Sequence, residues 1–131
     1  MRTRIPLAAL LTLAAVVVAL SVPVASDAAR HCVNLESTKK VRKALKQAHK
    51  RLTHSSSWKG PRKGSVYYGR CGSTHYALAS FKDPKFGYQD QPERFRRLKH
   101  HGWKDKGDTG GDGCGAPTPR KLLHIWGFYQ C

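Results

Sequence analysis

Between residues 34 and 52 the apolar positions Val41, Ala44, Leu45, Ala48 and Leu52 recur at helical spacing, and the stripe predicts an amphipathic helix. Asn34 or Ser37 is placed to cap its start, and Glu36 suits the positive end of the helix dipole. Lys39, Arg42, Lys43, Lys46 and Lys50 fill the opposite side as a continuous cationic face. The apolar period then shortens to that of strands. Residues 65–71 and 74–81 read as two strands about Gly72-Ser73, an acceptable two-residue hairpin turn. In the second, Tyr76, Leu78 and Ser80 face one way, and His75, Ala77, Ala79 and Phe81 the other. Residues 93–99 and 103–106 predict a second hairpin over His100-His101-Gly102, with Phe95 and Trp103 pointing inward. Thr118-Pro119 opens a short helix whose apolar side is Leu122, Leu123 and Trp126, and Gly127 is placed to end it.

Between these elements lie a serine-rich loop at 53–64, a connection at 83–92 with Phe86-Gly87-Tyr88 tucked under it, and a glycine-rich turn at 105–116. The fold class is α+β. We expect a small antiparallel sheet of about four strands, a packed N-terminal amphipathic helix and a short C-terminal helix.

The N-terminus changes where this domain is expected to reside. Residues 5–20 are apolar apart from Thr12, follow Arg2 and Arg4, and precede the small-x-small patterns Val24-Ala25-Ser26 and Ser26-Asp27-Ala28. This predicts a signal peptide over 1–28 and a single disulfide-stabilised secreted domain over 29–131. An uncleaved anchor competes, because the run approaches the length that spans a bilayer. Cys32, Cys71, Cys114 and Cys131 make an even count, which in an exported chain predicts two disulfides with three alternative pairings. Cys71–Cys114 inside the fold and Cys32–Cys131 across the termini is the expected arrangement, contributing on the order of 4 and 4.7 kcal/mol. The wide cysteine spacing does not fit a zinc site.

Charge adds a partner class. Twenty-four Lys and Arg stand against 8 Asp and Glu, a net +16. Such a field attracts nucleic acid, an acidic wall polymer or an anionic lipid surface, although net charge also simply keeps a protein soluble. The expected contacts are Lys39, Arg42, Lys43, Lys46, Lys50, Arg62, Lys63, Arg96 and Arg97. The leading functional expectation is a non-catalytic secreted binding module for an anionic partner, with no cofactor and no metal.

Catalytic alternatives start from Gly107-Asp108-Thr109-Gly110-Gly111, which contains near-copies of two protease motifs. Too little chain precedes Thr109 for a two-barrel serine protease, and an aspartic-protease motif sits at an apolar strand end followed by most of its fold. Here Lys104-Asp105-Lys106 precedes it. A calcium loop from Asp105, Asp108 and Asp112 lacks the spacing and closing glutamate of a helix-loop-helix site. A turn with side-chain-to-backbone bonds from the aspartates, delivering Cys114 to its partner, is the simpler expectation. Glu93, Arg96 and His124 follow the order of base, phosphate-stabilising and acid groups in microbial guanyl ribonucleases, which makes a secreted ribonuclease-like hydrolase an alternative. That family's late aspartate-histidine-tyrosine segment is missing. A third reading is an inhibitor of a secreted enzyme, presenting 55–64 as a rigid loop.

Cys71, Tyr76-Ala77-Leu78-Ala79, Gln91-Pro92-Glu93-Arg94-Phe95-Arg96-Arg97, Gly102-Trp103, the stretch Gly107 to Gly111, Cys114-Gly115, Leu123 and Trp126 together resemble small exported proteins of actinobacteria. The resemblance covers about residues 66–127. It implies a Cys71–Cys114 bridge and an α+β domain, and it implies no activity. The remaining cysteine pair and the heavy positive charge depart from that group.

Overall fold

In the computed structural model, which describes residues 31–131, the first helix, α1, spans Lys39–Thr53. Thr38 caps it: its Oγ1 accepts the Val41 N–H at 3.3 Å, relieving one of the donors a helix start leaves open. The helix therefore begins later than Asn34 or Ser37 would have set it. Asn34 closes a short strand instead, β1 (Cys32–Asn34). The other strands of the main sheet are β2 (Tyr67–Cys71), β3 (Thr74–Ala79), β6 (Glu93–Arg97) and β7 (Lys104–Asp108). Between β3 and β6, β4 (Lys82–Asp83) pairs with β5 (Gly87–Tyr88) as a separate ribbon, and α2 (Arg120–Ile125) comes last. The expected signal peptide lies outside the described residues. Among the described residues no helix is long and apolar enough to cross a membrane.

The sheet has five antiparallel strands in the order β1-β2-β3-β6-β7, one more than expected, because β1 adds an edge beside β2. Both expected hairpins form, β2–β3 about Gly72-Ser73 and β6–β7 over 98–103. Alternation along β3 then sorts the core into two layers. Ala77, Ala79 and the following Phe81 pack with Tyr68, Phe95, Trp103, Leu45 and Ala48 under α1. Leu78 and Cys71 pack with Leu122, Leu123 and Trp126 under α2 on the opposite face. Phe81, Phe95 and Leu45 are fully buried, each contributing about 1.5–3 kcal/mol.

Three expectations need correction. The disulfides are Cys32–Cys71 and Cys114–Cys131, not Cys71–Cys114 and Cys32–Cys131. The cause is the missed strand: pairing of β1 with β2 sets Cys32 directly opposite Cys71, with Cα atoms 4.1 Å apart. Cys114 meets Cys131 because the chain after α2 folds back, with Gln130 donating to the Asp112 carbonyl at 2.9 Å. The closures span 39 and 17 residues, and loop entropy assigns them about 4 and about 3 kcal/mol. Phe86 is not tucked in but 88% exposed, because Asp83 Oδ1 accepts the N–H groups of Lys85 and Phe86 in a turn that aims outward. The stretch 105–116 is strand as far as Asp108 and turn only beyond it.

Candidate functional site

The β2–β3 and β3–β6 registers place Arg70 opposite His75 and His75 opposite Arg97, so three basic side chains form one row across the sheet. Directly opposed residues share a face, and this row lies one step beyond Tyr68 and Ala77, on the α1 side. Aromatic rings bed it. Tyr68 stacks with the His75 ring at 5.8 Å and meets Trp103 edge-on at 5.9 Å, while the Arg97 guanidinium lies over the Trp103 ring at 5.3 Å. A cation over an aromatic face is worth about 0.5–1 kcal/mol at an exposed site. Burial, then the charges of Arg97 and Arg70, hold the His75 imidazole below its ordinary pKa, and a hydrogen bond at Ser73 only partly offsets them.

Two clefts border this row, and a third opens beyond the hairpin tip. The largest, about 440 Å³, runs between α1 and the β6–β7 hairpin. On α1 it is lined by Lys40, Val41, Ala44, Gln47 and Arg51, and opposite by Arg97, His101, Gly102 and Trp103. Arg51 is anchored by donating to the Trp103 carbonyl at 3.2 Å. A second cleft of about 250 Å³ is lined by Ser73, His75, Arg97, Leu98, Lys99, His100 and His101. A third, about 110 Å³, gathers Arg96, Leu98, His101, Gly102 and Lys104. No carboxylate lines any of the three. His100 holds a left-handed φ of 63°, a conformation easier for glycine, and its backbone turn brings both histidines of the hairpin tip to the second cleft.

Of the contacts expected from sequence, Arg97 belongs to this row, while Arg96 lines the third cleft from the other face of β6. Lys39, Arg42, Lys43, Lys46 and Lys50 occupy other sides of α1 and do not line the groove. Arg42 is spent on the Ser37 carbonyl. Arg62 lies 4.5 Å over the Tyr88 ring, beside Lys63 on the loop before β2. The sequence reading missed Lys40, Arg51, Arg70, His75 and His101.

The hydrolase set does not assemble. Glu93 is buried on the α1 side, paired in register with Ala79, whereas His124 lies on α2 against the opposite face. Arg96 alternates with Phe95 and so points away from the side Glu93 faces. Glu93 belongs instead to an interior chain of polar groups. Its Oε1 accepts from Gln89 Nε2 at 2.9 Å, and His49 Nδ1 shares a 2.8 Å hydrogen bond with Asp105 Oδ2. Burial first, then the neighbouring Asp105 carboxylate, raises the Glu93 pKa above its ordinary value, while the Gln89 hydrogen bond and His49 pull it down. The His49 ring stacks on Phe81 at 4.4 Å and meets Trp58 edge-on at 4.6 Å.

His49, Glu93 and Asp105 offer donor atoms within 4.8 Å of one another, a set whose chemistry suits a divalent cation. Asp105 spends Oδ2 on His49 and Oδ1 on the Gly107 N–H, and aromatic rings flank the imidazole, while His49 Nε2 and Glu93 Oε2 are buried without a hydrogen-bond partner. Asp105, Asp108 and Asp112 each accept a backbone N–H two residues on, the turn chemistry expected of them rather than a calcium loop.

No known family, curated protein or solved structure matches this chain.

Proposed function

We propose that the chain is a small secreted, non-catalytic binding module for an anionic partner, gripping it with the basic groove between α1 and the β6–β7 hairpin. The observation that carries this reading is the cross-strand row Arg70–His75–Arg97, whose His75 and Arg97 line clefts that hold cations and no carboxylate. Arg70 and Arg97 flank His75 from the two neighbouring strands, so the row concentrates positive charge on one stretch of the sheet. The two disulfides fit an oxidising compartment, which supports export. Trp103 is buried, so the groove offers its ring to Arg97 rather than to a stacked base.

Binding to a long polyphosphate should weaken linearly in log K against log salt. Replacing Arg97 with Gln should reduce that slope by about 1. An interaction that ignores salt, or none at low salt, would refute the proposal.

A further inference from the structure

Within that groove, we infer that Arg70, His75 and Arg97, with Ser73 and His101, form a discrete site for a phosphate-type oxyanion, and that His75 takes up a proton when the anion binds. This rests on the binding-module reading and adds a ligand class and a pH response to it.

The donors come from three adjacent strands and two turns, on one face of the sheet, and Arg70 Nη1 also donates to the Gly72 carbonyl at 3.2 Å. Arg70 reaches the row from β2, His75 from β3 and Arg97 from β6, while Ser73 and His101 belong to the two hairpin turns. A phosphate-type oxyanion, with three or more acceptor oxygens, has enough of them to meet several donors of such a row at once, whereas a carboxylate offers two oxygens in one plane. Arginine's fork adds paired, charge-assisted hydrogen bonds.

The groups facing His75 are Arg70 from β2, Arg97 from β6, the Tyr68 ring, and Lys99, His100 and His101 from the hairpin tip beside the shared cleft. None carries negative charge. Cations and partial burial therefore oppose protonation of His75 in the free protein. An anion seated among them reverses the sign of the local field. Linkage makes the effect reciprocal: if the anion favours the protonated ring, acid must favour the anion. Affinity should thus rise as pH falls through the histidine range, by up to about tenfold per pH unit while one proton is taken up.

The test is calorimetric titration of the intact exported protein with inorganic pyrophosphate in two buffers of different ionisation heat, near pH 6.5. Long polyphosphate is run in parallel. The expected result is proton uptake with pyrophosphate in the wild type that is lost in His75→Gln, while salt-dependent binding of polyphosphate by the wild type reports on the module itself. An independent check uses the wild type alone: the ring-proton NMR shift of His75 should titrate at higher pH once pyrophosphate is added. Polyphosphate binding with no proton uptake, or equal uptake in His75→Gln, overturns the oxyanion site and leaves the module. Failure of both anions to bind overturns both.

Discussion

Leu122 can press against β2 because position 69 carries no side chain. A Cβ built there would lie 2.6 Å from the Val33 carbonyl oxygen and 2.7 Å from Leu122 Cδ1. Gly69→Ala should therefore lower stability by about 1–3 kcal/mol, read as a reduced denaturation midpoint. Glu93 raises a different question at the same scale. Its folded-state pKa is raised, so the native state holds a proton that the unfolded chain releases first. Stability from this group is full below the ordinary glutamate range and is lost as pH rises toward the elevated folded value. Glu93→Gln keeps the neutral shape, so the variant should gain on the wild type as pH rises; urea melts across a pH series that stayed parallel would contradict this. Alternation in Glu93-Arg94-Phe95 makes the inward aim of Glu93 legible in the sequence. Its partners were not, because the His49–Asp105 bond joins positions 56 residues apart and nothing local marks such a meeting.

Elements were read well where their period was long and their turns distinctive. The helical stripe and the Gly72-Ser73 hairpin are local patterns, and from that hairpin the opposition of Arg70 and His75 follows by counting. The addition of Arg97 to the row needed the β3–β6 register, which depends on the long excursion through β4 and β5. β1 escaped because three residues show no alternation and Asn34 imitates a cap. Its role is instead to accept the Trp126 indole N–H at 3.0 Å, tying the edge strand to α2. Asn34→Ala should cost about 1–3 kcal/mol by leaving that donor unmet, and Thr38→Ala about 1 kcal/mol by uncapping α1. Ser37→Ala should stay within about 0.5 kcal/mol, since Ser37 uses its backbone carbonyl. Chemical denaturation of the three variants would show whether the cap lies where the geometry puts it.

For the whole molecule, composition announced the positive field but not its focus. Net charge of +16 is a sum, whereas the clefts owe their character to which carboxylates are absent from them. Two of the acids are withdrawn into the interior, Glu93 and Asp105, which leaves the basic face less neutralised than a count suggests. Covalent bracing was likewise foreseen in number and not in connection. Peptide mapping under non-reducing conditions should recover Cys32 with Cys71 and Cys114 with Cys131. Replacing both Cys114 and Cys131 by Ser should cost about 3 kcal/mol, with the sheet still formed.

The Cys32–Cys71 bond does more than limit the unfolded chain, because it fastens a three-residue strand over the flank of β2. At the far rim β7 protects itself with the exposed Lys104 and Lys106. The near rim relies on sulfur and on the Asn34–Trp126 hydrogen bond. In a thiol-rich setting β1 could peel back, and β2 would offer its bare amides to any neighbouring copy. A solitary particle would then become a template for strand-by-strand growth.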